Sequence, residues 1–85
     1  MPTISSFYGI RVTMNYNDHS PPHFHAEYQD FEVAVEIESG AVTGTMPRRA
    51  LNLIWEWLDE HRGELSENWE LAQARRAMKQ IAPLP

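Results

Sequence analysis

The residues of this chain that could carry out chemistry are concentrated in one short stretch. Three of the four histidines fall within residues 17–28, which read N-D-H-S-P-P-H-F-H-A-E-Y. Histidine is the commonest metal ligand, and its charge changes readily near neutral pH. Pro21 and Pro22 restrict the backbone just before His23 and His25. We therefore expect a chemical site here, if the chain has one.

The strand expected to carry these histidines decides which way their side chains point. Residues 23–28 alternate between polar and apolar types, and successive side chains of a strand point to opposite faces. The apolar face carries Phe24, Ala26 and Tyr28. The polar face carries His23, His25 and Glu27.

The next apolar run, residues 32–38, predicts a partner strand whose glutamates share the face of the histidines. If residues 29 and 30 form a two-residue loop, paired residue numbers sum to 59 and Glu36 lies opposite His23. A four-residue loop gives a sum of 61 and places Glu36 opposite His25. The intermediate sum would turn the apolar faces to opposite sides and is excluded. In either remaining register Glu36 lies ~5 Å from a histidine.

A His-x-His pair on a strand places two imidazoles on one side, where they can share a metal ion. Glu27 or Glu36 would complete a set of two histidines and one carboxylate, which suits Zn²⁺ or a non-haem iron. The candidate metal ligands are His23, His25 and Glu36, and the candidate cofactor is a divalent metal such as zinc. The alternative is that these histidines are structural or solvated.

Asp18 and His19 belong to the preceding loop, because Asn, Asp and Ser favour turns and two prolines cannot lie inside a sheet. Their side chains could fold over the strand as further ligands, or Asp18 could orient an imidazole for acid–base chemistry. Alternatively, Asp18 caps a turn and His19 bonds to the backbone. The complete candidate binding surface is Asp18, His19, His23, His25, Glu27 and Glu36.

The composition limits the class of protein. With 85 residues, of which 42% are hydrophobic, the chain should form a single domain, residues 1–85, with a packed core. The lack of cysteine excludes disulfides, thiolate metal sites and thiol nucleophiles, and favours the cytoplasm. The first residues contain no signal-peptide pattern and no apolar run reaches membrane-spanning length, so we expect a cytoplasmic protein with no membrane association.

The formal net charge of −5 disfavours a nonspecific grip on nucleic acid. Basic residues nevertheless cluster locally, at Arg48 and Arg49 and again at Arg75, Arg76 and Lys79. Arg48 and Arg49 are the candidate phosphate contacts if nucleic acid is bound. The alternative is that the basic residues are solvated and lie near the C-terminus of a helix, where positive charge is favourable.

The order of the elements predicts an α+β fold. Strands are expected at residues 4–8, 10–16, 23–28 and 32–38, and residues 42–45 are a candidate for a short edge strand. A first helix should begin near Pro47 and end before Gly63, and a second should cover residues 67–81. The predicted architecture is a small antiparallel sheet of three to four strands followed by two helices packed on its apolar face, which leaves the histidine face open.

These motifs resemble a family of small bacterial proteins, domain-of-unknown-function family 4160. The specific part of the resemblance is the pattern D-H-x-P-P-H-x-H, present here as Asp18, His19, Pro21, Pro22, His23 and His25. Residues 2–4, 39–42, 46–50 and 61–69 extend it. The resemblance implies no established activity. Family members look like partners of another small domain encoded beside them, similar to toxin–antitoxin modules, which implies protein binding.

Three functional hypotheses follow. The leading one is a small interaction module whose histidine face or free sheet edge binds a small protein partner or a second copy, with metal binding as a further property. The second is a small metal- or histidine-dependent hydrolase, such as a toxin-like ribonuclease. In it His23 or His25 would be a ligand or general base, and Arg48 or Arg49 would steady a phosphate. The third, a DNA-binding regulator, depends only on the basic cluster at residues 75–79.

Overall fold

The sheet is built from consecutive strands, and one long helix follows it, in a computed structural model that describes residues 2–85. The strands are β1 Thr3–Phe7, β2 Ile10–Thr13, β3 His23–Tyr28, β4 Phe31–Glu36 and β5 Val42–Thr45, and the helix is α1 Arg48–Gln73. All neighbours are antiparallel and lie in chain order, as short connections require. Among residues 2–85, no helix is both long and apolar enough to cross a membrane.

The apolar face of the sheet packs under α1 and forms the core. Phe24 and Ala26 of β3 are fully buried, as the alternation of the strand predicts. Trp57 of α1 is also fully buried, and its ring centroid lies 5.6 Å from that of Phe24 and 5.3 Å from that of Phe7. Full burial of a large apolar side chain is worth roughly 1.5–3 kcal/mol. This contact therefore fixes the helix on the face of the sheet opposite the histidines.

The register of β3 and β4 is the one given by the two-residue loop. His23 lies opposite Glu36 and Glu27 lies opposite Glu32, so paired residue numbers sum to 59. Gln29, in the loop, has a φ of +53°. Of the two registers left open by the sequence, the structure adopts the one that places Glu36 beside His23.

The α+β class is confirmed, but the expected numbers of strands and helices are wrong. The sheet has five strands rather than three to four, because Val42–Thr45 pairs along β4. A single helix, α1, replaces the two expected helices. It is kinked at His61, whose dihedral angles are non-helical (φ −123°, ψ 20°). Gly63 lies inside this helix instead of ending it. A glycine costs a helix only about 1 kcal/mol, and the buried residues Leu65 and Trp69 continue the apolar stripe beyond it.

The expected helix over residues 67–81 is wrong at its C-terminal end, since α1 stops at Gln73 and residues 74–85 run back across the molecule. The side chain of Asn68 donates from Nδ2 to the Lys79 carbonyl (2.8 Å) and accepts from the Lys79 N–H at Oδ1 (2.9 Å). The Ile81 N–H donates to the Ile4 carbonyl on β1 (2.8 Å). Long-range hydrogen bonds thus replace those of a continued helix, and they carry Ile81 into the core.

Replacing Asn68 with alanine should lower the free energy of unfolding by about 1–3 kcal/mol, because a buried side chain loses two hydrogen bonds to the backbone of the C-terminal segment. Urea denaturation measures the change. Asn52→Ala, at an exposed position of the same helix, is the matched control and should change stability by less than about 0.5 kcal/mol. Equal effects of the two substitutions would contradict the role given to Asn68.

Gly44 and Gly63 should respond to alanine with opposite signs. Gly44 has a φ of +110°, and a Cβ there would lie 2.6 Å from the Glu32 carbonyl oxygen, so Gly44→Ala should cost roughly 1–3 kcal/mol or more. At Gly63 a Cβ meets nothing within 4 Å, so Gly63→Ala should stabilise by about 0.5–1 kcal/mol. Thermal unfolding of both variants checks the pair, and a destabilised Gly63→Ala would show that the helix does not continue through this position.

Candidate functional site

The C-terminal end of α1 holds the loop that carries Asp18. The Asn17 N–H donates to the Ala72 carbonyl (3.2 Å), and Gln73 Nε2 donates to the Asp18 carbonyl oxygen (2.9 Å). The loop that follows β2 is thereby fixed above the start of β3, where His23 and His25 lie on the polar face. The C-terminal end of α1 thus positions Asp18, although the two are more than fifty residues apart in the sequence.

Both oxygens of the Asp18 carboxylate are engaged. Oδ1 accepts from the His19 N–H (2.8 Å) and lies 3.0 Å from Nδ1 of the His19 ring, while Oδ2 accepts from Asn15 Nδ2 (3.3 Å). Burial alone would raise the pKa of Asp18. The hydrogen bonds from His19 and Asn15 and the nearby charges of His23 and His19 outweigh it and hold the pKa below its ordinary value. Asp18 is therefore an oriented carboxylate in its ionised form.

His23 presents a lone pair or a charge to this carboxylate. Its Nδ1 lies 2.8 Å from the Pro21 carbonyl oxygen, which can only accept, so Nδ1 carries a hydrogen. Its Nε2 lies 3.1 Å from Asp18 Oδ2. In neutral His23 the unprotonated Nε2 would face a carboxylate oxygen, lone pair against lone pair. A cation must lie between them, either a proton on Nε2 or a metal ion.

His25 brings a second ring nitrogen to the same oxygen. Its Nε2 lies 3.8 Å from Asp18 Oδ2, is buried, and makes no hydrogen bond to the residues that the structure describes. The rings of His23 and His25 are nearly perpendicular, with centroids 5.2 Å apart. An unpaired buried nitrogen is costly, and a metal ion would satisfy it.

The spacing of the three atoms fits the ligands of one ion. A candidate ligand atom from each of Asp18, His23 and His25 lies within 4.8 Å of the others. Two ligands of a tetrahedral zinc ion, each about 2.0–2.1 Å from the metal, are about 3.3 Å apart. The observed separations from Asp18 Oδ2 are 3.1 Å to His23 Nε2 and 3.8 Å to His25 Nε2, so these two pairs are within about half an ångström of that spacing.

His23 is further held by the core. Its ring centroid lies 5.3 Å from that of Trp69, a buried residue of α1. The ring is therefore clamped between Trp69, the Pro21 carbonyl and Asp18, and its orientation is set before any ligand binds.

A cavity of about 340 Å³ opens beside the three side chains. Ala34 lies opposite His25 in the sheet, and Thr43 lies opposite Ala34, so small side chains form this part of its wall. Glu36, opposite His23, also lines the cavity. The small methyl group of Ala34 leaves room next to the His25 ring.

The structure brings five of the six candidate surface residues to this cavity and leaves one outside it. The cavity is lined by Asp18, His19, His23, His25 and Glu36. Glu27 lies on the polar face, but its carboxylate forms an ion pair with Arg11 (2.7 Å).

The carboxylate that meets the two histidines is that of Asp18. The sequence paired the histidines with Glu36 as the metal-ligand set. The compact group of ligand atoms contains Asp18 and not Glu36, whose Oε1 accepts from Ser39 Oγ (3.2 Å). Glu36 thus faces the same cavity from outside the ligand group.

The two candidate phosphate contacts lie elsewhere. The guanidinium of Arg48 lies 6.0 Å from the centre of the Trp55 ring, and Arg49 is exposed on the first turn of α1. Neither residue lines the cavity beside Asp18.

Several residues that shape the site carry little or no signal in the sequence. Ala34 could have been placed on the polar face from the sequence, because both permitted registers of β3 and β4 put it there. Asn15 continues the polar alternation of β2 towards the loop. Trp69 and Gln73 carried no local signal, because they meet His23 and Asp18 only through the packing of α1.

Comparison with known proteins agrees with the resemblance noted in the sequence. Neither the curated proteins nor the solved structures include a match to this chain. A protein family matches residues 9–70, a range that contains Asp18, His23, His25 and Glu36. Since this range is well over half of the sequence, the chain belongs to the family described as Domain of unknown function (DUF4160).

Proposed function

We propose that this protein binds a divalent transition metal through Asp18 Oδ2, His23 Nε2 and His25 Nε2. The observation that carries the proposal is the convergence of two imidazole nitrogens on one carboxylate oxygen, with one of the nitrogens buried and without a hydrogen bond to the part of the chain that the structure describes. These atoms come from a loop and a strand, so the ion would also tie the loop to the sheet.

The chemistry of the ligand set favours zinc or a similar ion. Two imidazoles and one carboxylate suit Zn²⁺, and three protein ligands leave at least one position open. The cavity lies beside the three side chains and would receive that open position. A site of this kind binds further ligands instead of only holding the fold together.

The groups around the ligands support the same assignment. Histidines that bind metals usually donate their second ring nitrogen to a carbonyl or carboxylate, and His23 donates Nδ1 to the Pro21 carbonyl. Ligating carboxylates are usually hydrogen-bonded themselves, as Asp18 is by the His19 N–H and Asn15.

A competing interpretation is an ion pair between Asp18 and a doubly protonated His23. It would satisfy the Asp18–His23 contact without a metal, but it leaves Nε2 of His25 buried and without a hydrogen bond to the described residues, 3.8 Å from Asp18 Oδ2. The metal accounts for both nitrogens, and binding measurements separate the two interpretations.

The other functions expected from the sequence stay predictions. Binding of a small protein partner is supported by the family resemblance, as is a toxin–antitoxin arrangement. The ribonuclease has less support, because neither Arg48 nor Arg49 lines the cavity where a phosphate would bind beside the ligand group.

Metal titration tests the proposal. Chelator-treated protein should bind one Zn²⁺ per chain in calorimetry, and His25→Ala should weaken binding by about 100-fold or more, since a lost ligand costs at least as much as a lost outer-shell partner. His61→Ala is the matched control, because His61 pairs with Glu64 away from the cavity, and it should bind like the wild type. Absence of stoichiometric binding, or equal losses in both variants, would refute the metal site.

Zinc should also stabilise the fold. At a free zinc concentration of about 100 times Kd, binding adds about 2.7 kcal/mol, which for a domain of this size raises Tm by roughly 10–20 °C. Differential scanning calorimetry measures the shift. Asp18→Asn keeps the shape of the side chain but weakens the ligand, so its Tm should respond much less to zinc. A full shift in this variant would show that zinc binds elsewhere.

A further inference from the structure

We propose that the cavity beside Asp18, His23 and His25 is a hydrolytic site, in which Glu36 accepts a proton from a water molecule at the open position of the metal. This inference rests on the metal site proposed above. It gives that site a reaction and assigns a role to a carboxylate that lies outside the ligand group.

The sheet places Glu36 where a general base is needed. Its Cα is paired directly with that of His23, and both residues line the cavity. Because opposed residues lie ~5 Å apart, the two side chains are immediate neighbours on one face. The carboxylate is close to the ligand group yet not part of it, as a base acting on a bound water must be.

A short chain of hydrogen bonds orients this carboxylate. The Ala41 N–H donates to Ser39 Oγ (3.1 Å), and Ser39 Oγ donates to Glu36 Oε1 (3.2 Å). The hydroxyl hydrogen of Ser39 therefore points to Glu36, whose Oε1 is the acceptor. One oxygen of Glu36 is held by the β4–β5 turn, and the other can serve as the proton acceptor.

The charges around the cavity favour a neutral substrate. Its ionisable lining groups are the carboxylates of Asp18 and Glu36 and three imidazoles, and no lysine or arginine lines it. The two positive charges of a bound zinc ion would be offset by the carboxylates of Asp18 and Glu36, and the lining adds no guanidinium or ammonium to hold a phosphate. A small ester or amide carries no such penalty, and a volume of about 340 Å³ suits a molecule of that size.

The proposed step is the hydrolysis of an ester. A water molecule polarised by the metal gives one proton to Glu36 while its oxygen forms a bond to the carbonyl carbon, and the carbonyl electron pair moves to the carbonyl oxygen. When that pair returns, the bond between carbon and the alcohol oxygen breaks, and Glu36 returns the proton to the leaving oxygen. One water is consumed, one acid and one alcohol are released, and nothing is oxidised or reduced.

The test uses p-nitrophenyl acetate as the probe. Zinc-loaded protein should release p-nitrophenol faster than the zinc-free protein and faster than zinc-treated His25→Ala. Glu36→Gln should lower kcat by about 100-fold or more, the usual contribution of a general base, while it still binds one zinc per chain with unchanged affinity. Glu32→Gln is the matched control, since Glu32 lies on the same face of β4 but outside the cavity, and it should keep the wild-type kcat.

The outcomes distinguish failure of the hydrolytic site from failure of the metal site. Stoichiometric zinc binding without zinc-dependent hydrolysis overturns the hydrolytic site and leaves the metal site standing. Loss of zinc binding in Glu36→Gln would make Glu36 a ligand and overturn its role as a base. Equal losses of kcat in Glu36→Gln and Glu32→Gln would show that the loss comes from removing a negative charge from this sheet face, and would overturn the role of Glu36 as a base. A protein that binds no zinc overturns both proposals.

Discussion

The pairing of β3 with β4 is the constraint on which the rest of the molecule depends. It joins two alternating strands in one of the two registers that align both of their faces. On the inner face Phe24 lies beside Val35 and receives Trp57 of the helix, and on the outer face His23 lies beside Glu36. A shift by one residue would bury the histidines and expose Phe24. The hydrophobic core therefore fixes the geometry of the polar site.

The helix takes part in both the core and the site. Its central Trp57 packs on the sheet and donates from Nε1 to the Ala82 carbonyl of the C-terminal segment (2.9 Å). Its last turns place Trp69 against His23, and they hold the loop of Asp18 through Ala72 and Gln73. The site thus forms only when sheet, helix and loop are packed together, and a ligand bound there would stabilise the whole fold by linkage.

The charges of the site would favour a bound cation. Hydrogen bonds and nearby imidazoles hold the pKa of Asp18 down despite its burial, so a negative charge persists among largely buried side chains. Nε2 of His25 lies 3.8 Å from Asp18 Oδ2 and makes no hydrogen bond to the described residues. A partly buried carboxylate and an imidazole nitrogen without a hydrogen bond are each unfavourable alone, and one metal ion would compensate both.

The sequence by itself determined the α+β class, the extent of β3, and the separation of the histidines from the apolar face, because a period of two is a local property of a strand, whereas residues 42–45 were only a candidate strand. It also limited the β3–β4 pairing to two registers. It did not determine the single helix. The local signals were a possible helix end at Gly63 and a helical pattern in residues 74–81, and the packing of Leu65 and Ile81 in the core overrides both. Only the tertiary structure selected Asp18 as the carboxylate that meets His23 and His25. That choice depends on hydrogen bonds from the end of α1 to the loop, contacts between residues more than fifty positions apart, which no local pattern encodes.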